Sequence, residues 1–460
     1  MSGSQLPPVL PPVGSGEQSD RHDSATDSTS DLTLHSPLPL DLEQIPVSQR
    51  SPKIVEDARW TVALRSIAGG SFAISLLAVV LALIVGGIFI AATNQQVQAS
   101  AGYFFARPGD LFGAVGRAVG GSYSALFQGA IFNFNAPDFG TGIRSLTTTL
   151  SLSTPLIAAG LGVALSFRVG MFNIGGQGQM LIAAACAGLV GFGLPLPGGL
   201  HLVVAILAGL AGGAVWAGIV GLLKARTGAH EVIVTIMLNY VALNLINYFL
   251  TTPVLRAPGS TDPKSPATLP TADFPKLFGA NYAVDLGFVL AIVATIAVWW
   301  LLERSSLGFK FRAVGENPNA ARVAGINVKN IYVWAMVISG MLIGLAGISQ
   351  VLGQITTGFG SDIDAGIGFT AITVALLGRS RPIGVFFAGI LIAAFQVGGF
   401  SMQAAEGVPV EIVAIIQSVA VLFIAAPPLV RAIFRLPVPG ASPRSGRSWK
   451  PGSRKKEVAV

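Results

Sequence analysis

The residues able to do chemistry in this 460-residue chain are few, and their spacing argues against catalysis. The histidines are His22, His35, His201 and His230, two in a polar tail and two at opposite ends of one helix and its following loop, so no metal cluster can be assembled from them. Cys186 stands alone in an apolar run, which excludes an intrachain disulfide and a thiolate metal site. No GxxxxGK[ST] run occurs, so nothing here cradles nucleotide phosphates. What remains is uncharged. At about 100° per residue, Tyr240, Asn244, Asn247 and Thr251 fall in one narrow stripe of an apolar helix, an aromatic ring beside two amides. Such a stripe suits a nucleobase or sugar ring passing through, or else the amides bond neighbouring helices. A second polar group, FNIGGQGQ, places Asn173, Gln177 and Gln179 where lipid would penalise them, and Gly175, Gly176 and Gly178 permit an unwound backbone. That segment is expected to line a pathway or to brace it.

The elements that must position these groups are membrane helices. Only 51 residues are charged; 14 lie in 1–65 and 9 in 431–460, which leaves 28 for the 365 residues between. A soluble domain carries roughly 25 per cent charged residues, so a water-soluble globule is excluded. A nucleic-acid binder is excluded too, because the +7 excess comes from tails and loops and forms no basic face. Residues 1–60 lack a signal-peptide pattern and read as a disordered tail. Since a crossing needs roughly 20 apolar residues, ten spans are predicted, at 66–92, 147–167, 180–194, 200–223, 232–252, 286–302, 331–352, 367–377, 383–400 and 408–429. The fold class is therefore all-α and polytopic.

Lys and Arg cluster on one side of this arrangement: Arg168, Lys224, Arg226, Arg304, Lys310, Arg312, Arg322, Lys329, Arg379 and Arg381, with both tails, which predicts cytoplasmic termini. The acids Asp362, Asp364, Glu406 and Glu411 are expected at or near the outside. Spans 2–5 and 7–10 then form an inverted repeat, and the second member of each quartet is short and broken by glycine, the pattern of a pathway at a repeat interface near the bilayer midplane. Gly340 and Gly344, one turn apart, are expected to serve close helix packing. Arg379 and Arg381 in GRSRP are expected to anchor topology, and the basic residues from Arg431 to Lys456 to be solvated or to meet anionic lipid. No span carries an acid or histidine near its middle, which disfavours an ion-coupled secondary transporter, although sodium held by backbone carbonyls stays open.

Between spans 6 and 7 lies ERSSLGFKFRAVGENPNAARVAGINVKN, a polar stretch containing a small helix. Asn317 caps it, Pro318 suits its first position, Ala320, Ala321 and Val323 supply propensity and an apolar side, and Gly325 ends it. It is either a docking knob for a peripheral subunit or an unpartnered surface helix.

GENPNAARVAGI resembles the coupling loop of permeases in the ribose and branched-chain amino-acid class of ATP-binding-cassette importers. RVGMFNIGGQGQMLIAA, EVIVTIMLNYVALNLINYFL, GIGFTAITVALLGRSRPIG and IIQSVAVLFIAAPPLVR are similar to the nucleoside and simple-sugar branch, which usually carries Glu where this chain has Gln177. The resemblance covers most of 147–431 and leaves out the tails and the loop 93–146. It implies the permease subunit of a bacterial inner-membrane importer for a nucleoside, with a ribose-like sugar as the alternative. Its implied partners are a second permease, the same or paralogous, an extracytoplasmic binding protein, and an ATPase subunit that holds ATP and Mg and grips Glu316, Asn317, Pro318, Ala321, Arg322 and Gly325. This chain itself would then hold no cofactor and catalyse nothing.

Overall fold

The computed structural model describes residues 71–434; the expected tail 1–60 and the basic tail from 435 lie outside the described residues. The described chain is helical without a strand. In order it forms α1 (Ser71–Thr93), α2 (Gln95–Ala101), α3 (Pro108–Ala130), α4 (Phe139–Gly142), α5 (Arg144–Arg168), α6 (Gly176–Gly193), α7 (Leu200–Thr227), α8 (Glu231–Thr251) and α9 (Leu286–Arg304). Then follow α10 (Ser306–Glu316), α11 (Pro318–Val323), α12 (Val328–Ser349), a π turn (Gln350–Gln354), α13 (Ile367–Leu377), α14 (Pro382–Glu406), α15 (Val410–Ala425) and α16 (Pro427–Ile433).

Among the described residues seven helices are long and apolar enough to cross a membrane: α5 together with α4, then α6, α7, α8, α9, α12 with its π turn, and α14. An eighth crossing needs α1 to continue through its 74° bend into α2, and α13 and α15 are too short to cross alone. The expected count of ten is therefore not reached by length and composition. The protein is nonetheless a multi-pass membrane protein by the number of its apolar helices.

Short polar side chains start the helices where the sequence supplies them. Asn94 Oδ1 accepts from the N–H groups of Gln96 and Val97 at 3.0 and 3.2 Å, Asp285 Oδ1 from Gly287 at 3.0 Å, and Ser305 Oγ from Gly308 at 2.9 Å. The α5 helix carries Pro155 in its interior, which leaves the Ser151 carbonyl without its helical donor. Gln354 of the π turn donates its Nε2–H to that carbonyl at 2.9 Å, so a break in one repeat satisfies a break in the other.

The two quartets pack reciprocally. α7 lies along α12 as α14 lies along α5, and α5 and α12 cross at the centre. The α5 helix is buried on every side from Ser153 to Ser166, so its small residues, among them Gly160 and Gly162, let neighbours close on its backbone. Gly340 and Gly344 meet α7 at Gly213 and Gly209, where a Cβ on Gly340 would sit 2.2 Å from the Gly213 carbonyl oxygen.

The stretch 93–146, expected as an outer loop, instead contains α2, α3 and α4. α3 runs antiparallel to α14, with Gly121 against Glu406, Leu126 against Gly398 and Gly129 against Ser401. Its buried face is made of Ala114, Ala118, Ser122 and Ala130, small residues whose low hydropathy, together with Asp110 and Arg117, conceals the helix from an apolar window.

Candidate functional site

The first candidate surface is α11. Asn317 Oδ1 accepts from the N–H groups of Asn319 and Ala320 at 2.9 and 3.0 Å, and Pro318 occupies the first turn. At the far end Ile326 N–H bonds the Ala321 carbonyl at 3.0 Å while Gly325 takes a φ of +81°, so the stop requires glycine there. Glu316, Asn317, Arg322 and Gly325 are exposed, Pro318 half-buried, and Ala321 buried against the protein. Ala321 therefore anchors the knob. Val323 projects from it with 91% exposure, an apolar side chain at the surface. The root is fixed by α10, whose Gly315 packs against the Arg168 carbonyl at the end of α5.

The second is the meeting of two half-helices. FNIGGQGQ is unwound only at Phe172, Asn173 and Ile174, with Gly175 at the helix start; Gly176, Gln177, Gly178 and Gln179 already form the first turn of α6. Their glycines serve close approach instead. A Cβ on Gly176 would lie 2.6 Å from the Gly368 carbonyl oxygen, and one on Gly178 would lie 3.0 Å from Asn239 Oδ1. The N-terminus of α6 thus faces the N-terminus of α13. α13 ends in the GRSRP turn, where the Arg168 guanidinium donates to the Ser380 carbonyl at 3.0 Å. Eleven residues at 1.5 Å rise put the junction about 16 Å above that basic face, near the middle of a hydrocarbon layer about 30 Å thick. Asn239, eight residues along α8 from Glu231, donates to the Ile174 carbonyl at 3.0 Å and accepts from Gly178 N–H at 2.9 Å, an independent measure of the same depth.

Asn173 and Gln179 are fully enclosed. Their amides exchange bonds of 3.1 and 2.9 Å, and Asn173 also donates to Ser339 Oγ at 2.9 Å, which in turn donates to the Gly162 carbonyl at 2.7 Å. In this conformation both amides tie the unwound segment to the crossing of α5 and α12. Gln177 is half-exposed and donates to Asp364 Oδ1 at 3.4 Å. Asp364 is the correction to the sequence reading: it is expected at or near the outside, but it is 4% exposed and lies at the junction. Residues 361–366 precede α13, whose first turn meets that of α6, so Asp364 is brought to the junction. Apolar windows miss this because Asp364 precedes its helix.

The third is the outward stripe of α8. Tyr240, Asn244, Asn247 and Thr251 are all exposed, while Glu231, Thr235, Asn239, Ala242, Ile246 and Leu250 make its buried face. Asn244 Nδ2 donates to the Tyr240 carbonyl at 2.8 Å and Thr251 to that of Tyr248 at 2.7 Å, bonds within the helix itself. Tyr240 and Asn244, with Val241, Leu245 and Tyr248, border a shallow groove of about 470 Å³. At the other end of the helix Glu231 pairs with Lys224 and accepts from Phe172 N–H at 3.4 Å. His201 is buried between the Thr271 hydroxyl at 2.7 Å and the Val190 carbonyl at 2.9 Å, a structural position.

Comparison with known proteins agrees with this architecture. The chain is 35% identical over 318 residues to a guanosine ABC transporter permease protein, NupP, of Bacillus subtilis, covering 69% of this chain and 89% of the relative. It is 35% identical over 288 residues to the glucose ABC transporter permease protein TsgB13 of Haloferax volcanii (61% and 75% covered) and 33% over 297 residues to the nucleoside permease protein NupB of Lactococcus lactis (61% and 79%). No solved structure matches the chain. Residues 145–426, from the start of α5 to the end of α15, match the family described as branched-chain amino acid transport system / permease component, and the chain belongs to that family.

Proposed function

We propose that this chain is the transmembrane subunit of an ATP-driven importer and forms the pathway for a nucleoside. The observation that carries this is the match to the guanosine permease along 89% of that protein's length, and the family match over residues 145–426 includes both the junction and the knob. The glucose permease relative, equally identical over a shorter stretch, supports a sugar as the second reading.

In this reading α11 docks into a groove of an ATPase subunit, with Val323 as the apolar contact and Glu316, Asn317, Arg322 and Gly325 around it. ATP and Mg are bound and hydrolysed on that partner. The basic face is cytoplasmic, the protein sits in a bacterial inner membrane, and both termini are inside. A second permease, identical or paralogous, pairs with this chain so that the exposed stripe of α8, with Tyr240, Asn244 and Asn247, borders the pathway between the two. Solute arrives on an extracytoplasmic binding protein. The test is uptake of labelled guanosine by cells with and without the chain, with ATP depleted in one arm, ion gradients collapsed in another and excess unlabelled glucose in a third. Chain-dependent uptake that fails without ATP, survives loss of the gradients and ignores glucose is expected. Uptake lost only with the gradients would refute ATP coupling, and glucose transport without guanosine transport would refute the nucleoside reading.

A further inference from the structure

The junction of α6 and α13 holds a polar group that the packing does not use up. Asp364 is 4% exposed; its carboxyl accepts from the Gln177 amide at 3.4 Å and lies beside the Gly366 N–H, yet Oδ2 finds no partner within hydrogen-bond geometry among the described residues. A buried acceptor left unmatched costs free energy, and native proteins pair the large majority of buried side-chain polar atoms. Its backbone carbonyl accepts from Ile367 N–H at 2.7 Å, which sets the carboxylate beside the first turn of α13, while Gln177 ties it to the first turn of α6. Two helix N-termini favour negative charge at that point. The turn that follows is strained: Ala365 has a φ of +44° and Gly366 one of +73°, and both are exposed. An L-residue in this region costs about 1–3 kcal/mol, and such strain gathers at ligand sites.

We propose that Asp364, with Gln177 beside it, is the mid-depth contact for the vicinal hydroxyl groups of the transported solute. The proposal rests on the permease reading above and names the chemistry its two solute classes share, since nucleosides and simple sugars both carry adjacent hydroxyls. An ionised carboxylate is an acceptor-only group able to take two O–H donors side by side, the recognition used wherever an acidic residue holds a ribose. Gln177 adds an amide that donates and accepts. The site is closed in this conformation, so the contact forms when the two half-helix ends part and Oδ2 gains the hydroxyl it lacks.

The test expresses the full chain with its partner subunits and measures initial uptake of guanosine and 2′,3′-dideoxyguanosine, and of glucose and 2,3-dideoxyglucose. Wild type, Asp364→Asn and Asp364→Ala are compared at equal amounts in the membrane, and the isosteric Asn variant carries the test if the Ala variant does not assemble. Every arm shares the same binding protein, so a changed ratio belongs to this chain. The hydroxylated-to-dideoxy ratio is expected to fall roughly tenfold toward one in both variants, the size of a lost hydrogen bond to a charged group. Parallel loss of both analogues with the ratio unchanged would make Asp364 a brace and overturn the proposal. So would unchanged uptake, or a wild-type ratio near one. Wild-type transport of the glucose pair alone would overturn the nucleoside reading while the Asp364 ratio is still read from glucose, and transport of neither pair overturns both.

Discussion

Replacing Gly368 by alanine tests whether the two half-helix ends must touch. An added Cβ would lie 2.3 Å from the Gln177 nitrogen and 2.6 Å from its Cα, whereas ordinary contact begins at 3.4 Å. The backbones must part by about 1 Å, and neither is the end of a flexible side chain. Overpacking of this kind costs typically 1–3 kcal/mol. At an unfolding entropy of about 2 cal/mol/K per residue, 2 kcal/mol lowers the melting temperature of so long a chain by only about 2–3 °C. The strain falls on the conformation in which the ends meet, however, and there 2 kcal/mol shifts a two-state balance about 30-fold toward the parted form. Gly116→Ala is the control, since no atom lies within 4 Å of its Cβ position and alanine favours an exposed helix site by about 1 kcal/mol. The assays are melting in detergent and initial uptake rate. Gly368→Ala is expected to melt lower and to transport at an altered rate, with Gly116→Ala unimpaired. A Gly368→Ala protein matching wild type in both would refute the contact between the two half-helices.

Three further outcomes follow from the geometry. Val323→Glu or Gly325→Leu is expected to reduce uptake at least tenfold with normal membrane abundance, because the first puts charge on the exposed apolar tip and the second forces a side chain into a φ of +81°; normal uptake by both would remove α11 as the docking element. Asn244→Leu combined with Asn247→Leu is expected to slow transport without loss of the complex, since among the described residues neither amide bonds a neighbouring helix; disintegration of the complex would assign the stripe to subunit packing instead, as read on a native gel. Burial at the start of α9 pushes the Asp285 carboxyl above its ordinary range, with Lys276 3.2 Å away opposing the shift. A raised carboxyl contributes stability that is full below its unfolded value near 4 and is lost as pH rises through the folded one. Asp285→Asn is therefore expected to flatten the fall in melting temperature as pH rises above about 4, and an unchanged profile would remove Asp285 as its source.

The chain's own residues specified the membrane class, the all-helical fold and the small capped helix. Runs of apolar residues, an Asn-Pro start and a glycine stop are local, and local rules suffice to read them. α3 was illegible because its face is built of alanine, serine and glycine, which bury well only when α14 offers a matching surface. The depth of Asp364 was decided by the tertiary structure alone. A carboxylate next to a short helix reads as solvent-exposed in any window of sequence, and it becomes buried only because α6, 187 residues earlier, brings Gln177 to meet it. The same holds for the glycines of GGQGQ: their number suggested a slack backbone, whereas the packed chain uses them to bring helix ends within contact, a demand set by the opposing backbone and invisible until both are in place.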